Sequence, residues 1–230
     1  MTSPDTVART AVTTRITDNL PGPWEPARDE TSSPAADAEG LSLNDHATGL
    51  LEGLGIDTTS SPTKGTGRRF ATAMRNLTYG LHVNPGRYLE TLTRHTPDGF
   101  HTPAAHIAVC AIPVRGICTC HALPYTGTVD VAHLPPGGGV YPHAGQITRF
   151  VQALAARPTN PETLIHSIVA VLAGRLGALT NGVAARVTLR PMCDLMHNGS
   201  SSAAVTAFHA TGDLLDPAQH TALLTAWSTR

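Results

Sequence analysis

The feature that most constrains how this chain can fold is a double change of apolar period after residue 105. "AHIAVCAIPVRGICTCH" and "YTGTVDVAHL" alternate at the two-residue period of strands, and "LPPGGG" ends the second of them. "GQITRFVQALAAR" then places Ile147, Phe150, Val151 and Leu154 at helical spacing, closed by Pro158. Asn160 caps and Pro161 starts a second helix, "PETLIHSIVAVLAGRLGAL", with Leu164, Ile168, Val171, Leu172 and Leu179 facing inward. "GVAARVTLRPMC" and "SSAAVTAFHATG" return to the strand period, and a last helix runs from Asp216 to Trp227. The order strand, strand, helix, helix, strand, strand predicts an α+β fold: an antiparallel four-stranded sheet with two long helices on one face.

The chain before this core divides in two. Residues 1-42 are rich in Thr, Ser, Pro, Asp and Ala, with no apolar period, and read as a disordered or extended tail in which Trp24 is either a docking anchor or incidental. Residues 43-100 read as a helical N-terminal part, and residues 101-230 hold the core. A short helix is expected in "NDHATGLLEGLGI", weakened by Gly53 and Gly55. Another is expected after a Thr66 cap, with Phe70, Met74, Leu77 and Leu81 on one stripe, and a third through "GRYLETLT".

Composition narrows the partners. Hydrophobic residues make up 41% of the 230 but aromatics only 4%, so the core must be built from Ala, Val, Leu and Ile. A formal net charge of -1, without runs of like charge, offers no electrostatic footprint for nucleic acid or an anionic membrane. The N-terminus lacks the apolar stretch of a signal peptide, and no window approaches the roughly 18 apolar residues of a membrane span. A soluble, cytoplasmic protein with reduced thiols is the expectation.

Four cysteines stand at positions 110, 118, 120 and 193, and "GICTCHALPY" puts two of them beside a histidine. Cys118 and Cys120 share a strand face, Pro124 ends the strand's approach, and a turn at His121 brings the imidazole round to a thiolate. Cys193, at the end of a later strand, is the candidate third donor. Two thiolates and an imidazole leave a tetrahedral zinc one open position, the catalytic pattern. The other reading is that free cysteines are small buried hydrophobes.

From about residue 60 to 212 the chain resembles the GTP cyclohydrolase I family, whose fold is the T-fold, or tunnelling fold. Cys118-Thr119-Cys120-His121 resembles the family's Cys-Glu-His-His, and "GTVDVAHLPPGG" its following strand and turn. "TRFVQALAARP" is similar to its first long helix, "PETL" to its Gln-Glu-Arg-Leu, Pro191-Met192-Cys193 to its His-x-Cys, and Thr66-Gly67-Arg68-Arg69 to its Thr-Pro-x-Arg. The resemblance implies a T-fold of order ββααββ with an N-terminal helical extension. It also implies Zn2+ held by Cys118, His121 and Cys193, with zinc-bound water as nucleophile. Glu162 would recognise the base, and Arg149 and Arg69 would meet the phosphates. Homo-oligomers with active sites at subunit interfaces are implied too. On its own, Glu162 is a favourable acid in the first turn of a helix.

Departures accompany the matches. The two histidines that the family uses for proton transfer are Cys120 and Pro191 here, its Ser-Lys pair is Gly145-Gln146, and the arginine after the third ligand is His197. A proline moves no proton, and each general acid-base group lost costs on the order of 10²- to 10⁴-fold. The expected protein is a diverged zinc hydrolase of a purine-like or pterin-like heterocycle, a small-molecule substrate, with Cys120, His143 and His197 as candidates for proton transfer. The alternatives are the family's own reaction on GTP and a non-catalytic nucleotide or pterin binder.

Overall fold

The computed structural model describes residues 42–94, 107–136, 140–198 and 203–228. Nearly all of the expected tail, residues 1–41, lies outside the described residues. Ser42 opens α1 (Leu43–Gly53): its side chain accepts from the Asp45 backbone while the Asp45 carboxylate accepts from the Ser42 backbone, a reciprocal cap at a position the composition had assigned to a featureless tail.

The loop after α1 leads to α2 (Thr66–Leu77), whose cap is Gly65 at φ 76, so Thr66 is the first helical residue and not the cap. The expected stripe is also corrected. Phe70 and Leu81 are exposed, Met74 and Leu77 half-buried, and the buried face of α2 is Gly67 and Ala71. The reason is close approach: a Cβ on Gly67 would meet Thr48 Oγ1 of α1 at 2.1 Å, so small residues define this helix contact. Two 3₁₀ turns follow, Tyr79–His82 and Pro85–Leu89, the second in place of the small helix expected through "GRYLETLT".

The core matches the expected order. β2 (Ile107–Ile117), β3 (Pro124–Leu134), β5 (Gly182–Pro191) and β6 (Val205–Ala210) form one antiparallel sheet in the order β2-β3-β5-β6. Between β3 and β5 run α3 (Ala144–Ala155) and α4 (Pro161–Leu176). Two short strands, β1 (Thr93–Arg94) and β4 (Val140–Tyr141), make a separate pair. Tyr125, Val129 and Val131 of β3 and Val183, Ala185, Val187 and Leu189 of β5 bury against Ile147, Phe150, Val151, Leu164, Ile168 and Leu172. These are the alternate strand positions and the helical stripes of the sequence, meeting in one layer.

Helix α4 with its 3₁₀ extension, Pro161–Leu179, is long and apolar enough by length and composition to span a membrane, contrary to the expectation that no window approaches this. Its Leu164, Ile165, Ile168, Val169, Leu172 and Leu176 are buried in the core, which accounts for that composition.

The second face of the sheet is also covered, at one end. Helix α6 (Pro217–Ser228) lays Leu223 and Trp227 with Leu214 over Ala132, Leu134, Ala184 and Ala210, a second core that the two-helix expectation did not include. A bulge between Val109 and Ile112 puts Ala111 at φ 54, and its N–H donates to Asp130 Oδ1 at 2.7 Å. Asp130 Oδ2 accepts from Arg186 Nε at 2.8 Å, and Arg186 Nη2 donates to the Trp227 carbonyl at 3.0 Å, so bulge, sheet and α6 are tied by one polar strut.

Candidate metal centre

The end of the sheet away from α6 carries the chemistry. Gly116, Tyr125 and Pro191 lie in register across β2, β3 and β5. A Cβ on Gly116 would meet the Ala155 carbonyl at 2.3 Å, so glycine lets the end of β2 lie directly on α3, where the Tyr125 hydroxyl also donates to the Ala155 carbonyl. Cys118 and Cys193 both lie just past this row, beyond the ends of β2 and β5, the two strands that β3 separates.

Beyond Ile117 the chain folds back. Cys118 N–H donates to the Leu123 carbonyl at 2.9 Å, Ala122 N–H to the Cys118 carbonyl at 3.1 Å, and Ala122 takes φ 51. This turn brings His121 back over Cys118, whose Sγ accepts from His121 N–H at 3.3 Å. Cys193 comes from a different element than expected: β5 stops at Pro191 and a short helix, α5 (Met192–Asn198), begins at once. Proline offers no N–H to continue the ladder, and the helical turn swings Cys193 toward β3.

The donor atoms of Cys118, His121 and Cys193 all lie within 4.8 Å of one another, the one such cluster of three among the described residues. Burial raises the Cys118 thiol, but the N–H donors of the turn and the Cys193 thiol outweigh it, and its pKa is lowered. The Cys193 thiol is pushed up by burial, by its hydrogen bond to Cys118 and by the charge developing there. The two thiols therefore titrate as a coupled pair, and a cation shared between them would favour both thiolates.

The other candidates are placed around this cluster. A parallel bridge joins Cys118 to Thr159: Thr119 N–H donates to the Thr159 carbonyl at 3.2 Å and Thr159 N–H to the Ile117 carbonyl at 3.1 Å. Thr159 immediately precedes Asn160, which caps α4 by accepting from Thr163 N–H at 2.7 Å, so the start of α4 and Glu162 in its first turn are anchored to the cysteine-bearing strand end. No sequence signal marked Thr159. Cys120 is exposed in the turn, outside the donor cluster. His143 precedes α3 and is exposed, and Arg149 is exposed on α3. Arg69 spends its guanidinium on its own loop, donating to the Lys64 carbonyl at 3.0 Å and to Thr66 Oγ1 at 2.6 Å. His197 falls in α5, with its side chain outside the described residues.

A family model for GTP cyclohydrolase I matches residues 43–227. The chain belongs to the GTP cyclohydrolase I family. Its relatives include proteins named GTP cyclohydrolase 1 from Rhodopirellula baltica, 30% identical over 64% of this chain and 60% of that protein, and from Pyrobaculum aerophilum, 31% over 64% and 74%. A third, from Bacillus cytotoxicus, is 28% identical over 73% of this chain and 84% of that protein. The chain thus spans three fifths of the length of the first relative. The four-stranded antiparallel sheet with its helices is consistent with the family's T-fold.

Proposed function

We propose that this protein is a zinc-dependent hydrolase of the cyclohydrolase type, diverged to act on a purine-like or pterin-like heterocycle. The observation that carries the reading is the convergence of Cys118, His121 and Cys193 from two separate strand ends. Two sulfurs and one imidazole nitrogen are a donor set that zinc accepts at about 2.0–2.3 Å, and three protein ligands leave a fourth position for water or substrate. Zinc bound there would supply Lewis acidity and an activated water at neutral pH.

The chain's own residues would do the rest. Glu162 presents a carboxylate that accepts paired N–H donors from a planar heterocycle, held in place by the Thr159 bridge. Arg149 supplies positive charge for a substituent of the ring. Cys120, His143 and His197 are the groups with exchangeable protons to replace what Pro191 cannot provide. Active sites completed by a second copy of the chain follow the family pattern. The family's own reaction on GTP remains the reading favoured by the relatives' names. A non-catalytic binder of the same heterocycles is the reading favoured by Pro191.

Incubating the purified, zinc-loaded protein with GTP and a panel of purines and pterins, with formate release and ultraviolet change as readouts, separates the three. Product from another heterocycle and none from GTP is the expected result. Formate from GTP would establish the family reaction, and tight binding without turnover would establish the binder.

A further inference from the structure

The second face of the sheet changes character along its length. At one end Asp130 and Arg186 pair beneath α6. Toward the metal end the face is open, and its rows are polar. Arg115, Thr126 and Arg190 lie side by side across β2, β3 and β5, all exposed. Residues directly opposite on adjacent strands project on one face, so the two guanidinium groups flank one hydroxyl. The next row on that face is Pro113, Thr128, Thr188 and Thr206, in which the last two threonines share a hydrogen bond of 3.2 Å.

Neither row contains a carboxylate, and among the described residues neither Arg115 nor Arg190 has an acidic partner. A cavity of about 360 Å³ opens at the Arg115 side, its lining including the apolar Pro113 and Val114 beside Tyr79, Arg115, Thr126 and Gln152. Gln152 is fixed at its wall by donating to the Pro113 carbonyl at 3.1 Å. Every polar side-chain group that Arg115, Arg190, Thr126 and Tyr79 present can donate a hydrogen bond.

We infer that this open end of the second face is a binding site for a small, multiply charged oxyanion of the pyrophosphate class, gripped between Arg115 and Arg190 over Thr126. Two strand steps of about 4.8 Å separate the arginine backbones by about 10 Å, and their long side chains close that span onto an anion with charge at both ends. A singly charged ion satisfies one guanidinium and leaves the other with none. The inference does not depend on the hydrolase reading or on a bound metal.

Isothermal titration of the metal-loaded protein with sodium pyrophosphate at low ionic strength tests it, with citrate as a second arm to tell a phosphate from a carboxylate source. Saturable binding that weakens at least tenfold in the double variant Arg115→Gln, Arg190→Gln is expected, with circular dichroism and metal content unchanged. Arg115→Lys, Arg190→Lys should retain part of the affinity, because charge survives while the guanidinium fork is lost. Citrate binding that is lost in the same variant would support the site and assign it to carboxylates. Absence of saturable binding of either anion up to millimolar concentration, or full affinity in the double glutamine variant, would overturn the inference.

Discussion

Two rows on the same face of one sheet use arginine in opposite ways. Arg186 is bound to Asp130, reaches the Trp227 carbonyl and lies 5.3 Å beneath the Trp227 ring. Arg115 and Arg190, at the other end, are exposed without a carboxylate beside them among the described residues. Where a helix covers the sheet, a charge is tolerated when it is paired, because an unpaired buried ion costs several kcal/mol. Where the face is open, water solvates the charge, and a ligand can replace that water. One end of the sheet is thus built for cohesion, and the other leaves its charges open to solvent and to the ligands proposed above.

The sharpest way to break this division is at the binding end. Cys193→Ala removes one of two sulfurs, and its purified form should lose essentially all of about one zinc per chain, measured by atomic absorption, while the α6 end stays folded. Retention of zinc would mean that the ligand set lies elsewhere. At the cohesive end, Asp130→Ala strands Arg186 and the Ala111 N–H. It should cost about 3–5 kcal/mol in urea unfolding, with zinc content unchanged where the protein is folded.

Acid should separate the ends next. His133 is fully buried beside Tyr141 at the penultimate position of β3, and burial pushes its pKa down to about 4 from 6.5. The folded state therefore holds this ring neutral while the unfolded state protonates it. Stability from this group is complete above pH 6.5, falls as pH drops toward 4, and is constant below, a loss of about 3 kcal/mol. Urea unfolding across that range should show this slope, and His133→Phe should flatten it. An unchanged slope in His133→Phe would assign the acid limb to other groups.

The smallest effect sharpens the contrast. Arg115→Gln and Arg190→Gln should each change folding stability by less than about 0.5 kcal/mol, as solvated surface positions do. A larger loss would mean that the open face is structural after all.

Much of the fold was legible because its signals are local. The stripe of α3 and the cap and proline that start α4 are written within a few residues of each other, and Ile147, Phe150, Val151 and Leu154 are buried as their spacing predicts. The stripe proposed for α2 fails at Phe70 and Leu81 because a one-residue-type pattern cannot reveal that Gly67 and Ala71 are the closest approach to α1. At the site, Cys118 and His121 share a six-residue turn and were readable together, whereas Cys193 was a candidate only by its place at a later strand end, because nothing local ties it to that turn, and Thr159 entered through nothing in the sequence.

By itself the sequence determined the succession of elements, which side of each strand and long helix is apolar, and the local turn that folds an imidazole onto a thiol. Periodicity and turn chemistry act over a handful of residues, so they need no partner to be read. Only the tertiary structure decided that a second sulfur meets that turn, that α6 closes one end of the second face, and which arginines are paired. Those outcomes depend on strand register and on segments far apart in the chain, where one step of slip would send each side chain to the opposite face.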